Sequence, residues 1–190
     1  MPTLIRWTGQ RAEAAEDPFT AVGDETPTPR GDVIVSLQRF QAEGARLLAE
    51  GRQVGVRLEA NEAVEELEAD LPRIAVVALV FPKFLQGQAY SSARILRERF
   101  GYQGEVRAVG DVLREQARFM VRCGIDAFEP ADGSSPEAWT HVVGRFRHVY
   151  QRAADGLEPA FVERGAPRLS PTSRPNPAPA RKAKALGGVS

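Results

Sequence analysis

Two stretches of this sequence carry polar side chains in a pattern suited to ligand chemistry. The first runs Phe81-Pro-Lys-Phe-Leu-Gln-Gly-Gln-Ala-Tyr-Ser91. It leaves a wholly apolar run and enters helical spacing at Tyr90-Ser91. A serine there could cap the helix, and the free N–H groups of a helix start attract negative charge. Gly87 allows close backbone approach and Lys83 adds a cation, so Lys83, Gly87, Tyr90 and Ser91 form a candidate anion seat. The second stretch is Val109-Gly-Asp111, leading to Arg114. Asp111 is the candidate catalytic group, as a general base or an orienter. Arg107 and Arg114 are candidate ligands for a sulfur oxyanion or a phosphate, because a guanidinium fork matches such anions. Glu129 falls near the same face. Each residue also has a plainer role: Ser91 and Asp111 as helix caps, Gly110 as a turn, and the arginines as solvated surface.

Elements must bring these stretches together. Asp32–Leu37, Val54–Leu58, Ile74–Phe81, Glu105–Val109 and Ile125–Phe128 are short runs rich in β-branched and apolar residues. Ile74–Phe81 (IAVVALVF) has the continuous apolar character of a strand buried on both faces. Between them, helical spacing predicts Gln38–Gly51, Glu62–Leu71 with Asn61 as cap, Ser91–Phe100 closed by Gly101, and a helix from Gly110-Asp111 to about Cys123. A final amphipathic helix is expected over Pro136–Ala154, with Trp139, Val142, Val143, Phe146, Val149 and Tyr150 on one stripe. This alternation predicts a single α/β domain over residues 31–156, with a mostly parallel sheet of four or five strands flanked by helices. A partial TIM-like barrel is the alternative; a full eight-fold barrel needs about 250 residues. Ligands in such folds sit beyond the carboxyl ends of the strands, where both candidate loops fall. Residues 1–30 are expected as an irregular lead-in. Residues 163–190, rich in Pro and Arg, are expected as a disordered tail.

Composition narrows the chemistry. The chain carries 25 basic and 25 acidic side chains, so no global field draws nucleic acid or an anionic membrane. One cysteine, Cys123, excludes an internal disulfide and fits a reducing, cytoplasmic compartment. With only two histidines beside it, a four-ligand Cys/His zinc site or a Cys-ligated iron–sulfur cluster cannot be assembled. No nucleotide-binding glycine motif and no nucleophile elbow occurs, so no cofactor and no metal is expected. No membrane span or signal peptide is expected either, since the apolar run Ile74–Phe81 is far short of the roughly 20 residues a helix needs to cross a bilayer.

The segment Tyr90–Arg114, together with Arg122-Cys-Gly-Ile-Asp-Ala-Phe128 and Phe81-Pro-Lys-Phe84, resembles the bacterial family known as domain of unknown function 934. Weaker similarity runs from about Asp32 to Tyr150. The resemblance implies an oxidoreductase role in sulfite reduction, in the company of assimilatory sulfite reductase and cysteine biosynthesis. The partner it implies is the sulfite reductase haemoprotein or its electron donor. Where the family shows an Asp-Gly-Arg run, this chain has Gln86-Gly87-Gln88. Three functions are therefore expected to compete: an accessory protein of sulfur assimilation, a small enzyme taking a sulfur oxyanion or phosphorylated metabolite, and a non-catalytic scaffold compatible with an oligomer.

Overall fold

The computed structural model describes residues 4–83 and 87–165. Gln86 and residues 166–190, most of the expected tail, lie outside the described residues.

The chain forms an eight-stranded mixed sheet. Its strands are β1 (Leu4–Trp7), β2 (Ala12–Ala15), β3 (Phe19–Ala21), β4 (Asp32–Ser36), β5 (Val54–Leu58), β6 (Val76–Phe81), β7 (Glu105–Gly110) and β8 (Ala127–Phe128), in the spatial order β2-β1-β8-β7-β6-β5-β4-β3. From β3 to β8 neighbouring strands are parallel and consecutive. β1 joins antiparallel to β8 and makes a hairpin with β2. The sheet is thus larger than the four or five strands expected, and mixed. The addition comes from the supposed lead-in: Leu4, Ile5 and Ala12 are core residues.

The edges β2 and β3 are joined only by Glu16, Asp17 and Pro18. A flat sheet of eight strands would hold its edges about 34 Å apart at ~4.8 Å per strand. Four residue steps from Ala15 to Phe19 reach at most about 14 Å. The sheet must therefore curl, and it forms a half-barrel. Its outer face packs against α1 (Leu37–Ala49), α2 (Gln88–Arg94), α3 (Ala117–Arg122) and α4 (Pro136–Gly144). Phe40, Leu47, Leu96, Met120 and Trp139 meet the strand residues Val35, Val56, Val77, Leu79 and Phe128 there. The inner face holds a smaller apolar cluster, Ile34, Val76 and Ala78, with Phe19 and Val109 against it. Gly55 belongs to this inner layer because a Cβ would stand 2.8 Å from Ile34 Cγ1.

Four expected helices change shape. Glu62–Leu71 forms only a 3₁₀ turn, Val64–Leu67, continued by turns. Glu62, Glu66 and Asp70 stand four apart, and like charges at that spacing oppose an α-helix. α2 starts at Gln88, earlier than expected, and passes into a π-helical turn over Ile95–Arg99 before Gly101 ends it at φ 61°. The expected Asp111–Cys123 helix begins late, with a 3₁₀ turn Arg114–Gln116 before α3. α4 stops at Gly144, not Ala154. Val149 then makes a bridge with Pro159, and α5 (Ala160–Gly165) follows, so residues 163–165 are helical. The predicted stripe therefore divides: Trp139, Val143 and Val149 are buried, while Phe146 and Tyr150 are exposed.

Candidate functional site

The pairing of β6 with β7 sets Phe81 beside Gly110, so both candidate loops leave adjacent carboxyl ends of the sheet. The junction is tight. The Asp111 N–H donates to the Phe81 carbonyl at 2.7 Å. Gly110 has φ 97°, and a Cβ there would stand 2.6 Å from the same oxygen. Glycine is thus required twice over, by conformation and by space.

On this rim Lys83 and Gly87 are exposed and Asp111 is half-buried. Arg114 is exposed, with a loose ion pair to Glu115 at 3.6 Å. It also contributes to holding the Asp132 carboxyl low, after the Ser134 hydroxyl and backbone. Ser91 does not cap α2. It lies inside the helix, exposed, and the position before the first turn is Gly87, which has no side-chain cap. Asp111 does not cap a helix either; the next turn starts three residues later, where the Gln116 side chain accepts from the Leu113 N–H at 3.0 Å. Tyr90 is a packing residue. Its ring meets Phe81 edge-on at 5.1 Å and Phe119 at 4.7 Å. Burial pushes its phenol above the usual range.

Arg107 departs most from expectation. It faces the interior of the half-barrel, wholly buried, and not the loop surface. Alternation along β7 sends Val106 and Ala108 outward to the helices and Glu105, Arg107 and Val109 inward. The guanidinium is surrounded by carboxylates. It donates to both oxygens of Asp17 at 2.7 and 3.0 Å, to Glu105 at 2.8 Å and to Glu129 at 3.0 Å. Arg6 reaches Glu105 from β1 at 2.9 Å. Phe19 lies 5.9 Å below the Arg107 guanidinium. Burial alone would lower the arginine's pKa, but the hydrogen bonds and charge of Asp17 and Glu105 outweigh it, and the net shift is upward. At Asp17 burial pushes the carboxyl up, while the Arg107 hydrogen bonds, the Phe19 N–H and the charges of Arg107 and Arg6 bring it below its ordinary value. Because Asp17 sits in the link between the two sheet edges, this cluster ties a central strand to the closure of the barrel. Arg107 has its hydrogen bonds satisfied by the protein and does not share the rim with Lys83 and Arg114.

Asp17, Glu105 and Arg6 are absent from the sequence-based candidate set. One signal was available: Glu105 and Arg107 are two apart in a strand, so they share a face, and two charges on one face of a buried strand imply inward pairing. Cys123 follows α3 and is buried; burial pushes its thiol up to about 11. Among the described residues no group of three or more His, Cys, Asp or Glu is placed to hold a metal ion. Among them, too, no helix is long and apolar enough to cross a membrane.

The architecture is that of an α/β protein with a curled sheet, a charged interior latch and a polar rim at the strand ends. Its family can be stated: the chain belongs to the family described as "Bacterial protein of unknown function (DUF934)", whose model matches residues 55–161. The match spans β5 to β8 and the whole rim. No curated protein matches the chain.

Proposed function

We propose that this chain is a cytoplasmic accessory protein of assimilatory sulfite reduction, acting with the sulfite reductase haemoprotein or its electron donor. Family membership is the observation that supports the proposal; the link to sulfite reduction is what the resemblance through Tyr90–Phe128 implies. The geometry favours docking over catalysis. Of the two arginines expected to hold an anion, Arg107 is already satisfied by carboxylates inside the barrel, and only Lys83 and Arg114 stay at the surface.

The enzyme alternative has one supporting observation, the juxtaposition of the Lys83 and Asp111 loops by the Phe81–Gly110 pairing. It expects thermal stabilisation by sulfite, sulfate, phosphate or adenylyl sulfate that is lost in Arg114→Ala. The accessory reading expects none. Deleting the gene tests the main proposal. Cells without it are expected to grow poorly on sulfate and normally on sulfide or cysteine; normal growth on sulfate would overturn the proposal.

A further inference from the structure

Two short stretches near α5 are held side by side. Val149 bridges Pro159, the Ala160 N–H donates to the Val149 carbonyl at 2.8 Å, and His148 Nδ1 lies 2.8 Å from Glu163. Arg122 ties the first stretch to α3 by donating to the Gln151 carbonyl at 2.6 Å. Together Tyr150, Gln151, Arg152, Pro159, Phe161 and Val162 line a groove of about 570 Å³. Tyr150 is 84% exposed and Phe161 68%, so the groove presents two uncovered aromatic rings. Grouped apolar surface of this kind marks a docking site.

Charge does not choose the occupant. Arg152 pairs with Glu158 at 2.9 Å, and Glu163 pairs with His148. The shape and the rings do choose. Aromatic-lined grooves take Pro-rich segments in the polyproline II conformation, which dock at little cost in entropy.

The chain carries such a segment itself. Residues 174–179 read RPNPAP and lie outside the described residues. Proline fixes its own φ and biases the residue before it toward extended backbone, so the alternation restricts all six positions. The segment is also within reach. α5 supplies Phe161 and Val162 to the groove wall and ends at Gly165, nine residue steps before Arg174. Nine steps span up to about 30 Å, against a length of about 9 Å for α5, so the chain can turn back along the helix. A tether this short holds the segment at a local concentration of about a millimolar.

We infer that residues 174–179 dock in the Tyr150–Phe161 groove of their own chain, with Pro175, Pro177 and Pro179 against the two rings. Docking covers the exposed aromatics and is independent of any role in sulfite reduction. The competing occupant is the same segment of a second copy.

Paramagnetic relaxation in the full chain tests the docking and separates the two occupants. A nitroxide is attached at Ser173→Cys in the native protein, where Cys123 is buried. The amide signals of Gln151 and Val162 are expected to broaden. The broadening is expected to be lost in Pro175→Gly/Pro177→Gly/Pro179→Gly, and lost again in Tyr150→Ser/Phe161→Ser. Tyr150 and Phe161 are exposed, so Tm is expected to stay unchanged in the second variant. In a mixture of spin-labelled chains with isotope-labelled chains that carry no nitroxide, no broadening is expected. The proposal is overturned if the groove signals do not broaden. It is overturned equally if both sets of substitutions leave the broadening intact, which would show tethering near α5 without docking. Broadening in the mixed sample also overturns it and assigns the groove to a second copy's segment.

Discussion

Replacing Arg107 by Met tests the interior latch. Methionine has similar length and no charge, so it fills much of the space without overpacking. It leaves Asp17, Glu105 and Glu129 facing one another with only Arg6 in compensation. Removing one member of a buried ion pair costs about 3–5 kcal/mol, because the remaining charges keep their desolvation without a partner. That is a large share of the roughly 5–15 kcal/mol that stabilises a domain. Urea unfolding at pH 7 should show the loss as a lower midpoint, and Tm should fall on the order of 10 °C. The pH dependence gives a second test. In the native protein the folded pKa of Asp17 lies below its unfolded value, so its contribution is present above about pH 4 and is lost as pH falls through the folded pKa. In the variant, the same carboxylates repel one another, and protonation relieves them. The gap between the two proteins should therefore narrow on acidification from pH 7 to about pH 4. A loss under about 1 kcal/mol, or a gap that does not change with pH, would refute the idea that Arg107 holds the barrel closed through its carboxylates.

Asp17→Asn keeps the shape of the link but removes its charge. It should cost less than Arg107→Met, about 1–2 kcal/mol by urea unfolding, because Asp17 is partly solvated. Gly110→Ala places a side chain at φ 97° and against the Phe81 carbonyl, so a loss of at least about 2 kcal/mol is expected. Gly133→Ala, at φ 64° with open space around it, should cost about 1 kcal/mol; equal losses would show that the close approach at Gly110 is unimportant. The Cys123 thiol, buried with its pKa near 11, should react with Ellman's reagent only slowly at pH 8 and fully in denaturant; rapid native labelling would contradict its place in the core.

The central strands β4, β5 and β6 were legible because they are rich in Val, Ile and Leu, whose branching and apolarity point one way, and β7 because Val106, Ala108 and Val109 make a short apolar run around Arg107. β2 was not legible. Its sequence, AEAA, favours a helix when isolated, and only pairing with β1 and packing under α4, where the Ala12 N–H donates to Thr140 Oγ1 at 2.9 Å, holds it extended. β8 was expected over Ile125–Phe128 and forms at Ala127–Phe128, two residues shorter. The barrel-like curl was open as an alternative, yet the fact that decides it, a three-residue link between opposite edges, is a property of strand order and not of local pattern. The site divides in the same manner. The two loops and their meeting at Phe81 and Gly110 follow from consecutive parallel strands. The partners of Arg107 do not, since Asp17 lies 90 residues away in sequence and arrives only through closure of the sheet. Phe146 and Tyr150 fit a helical stripe until Gly144 ends the helix, after which both side chains are exposed.

We propose that this chain works on another protein of sulfite reduction. The most direct measurement is affinity capture of the tagged full chain from cells grown on sulfate, with a parallel culture grown on cysteine. The sulfite reductase haemoprotein or its electron donor is expected to be recovered from the sulfate culture. Capture that repeatedly returns neither protein, from a chain shown to be folded, would contradict it.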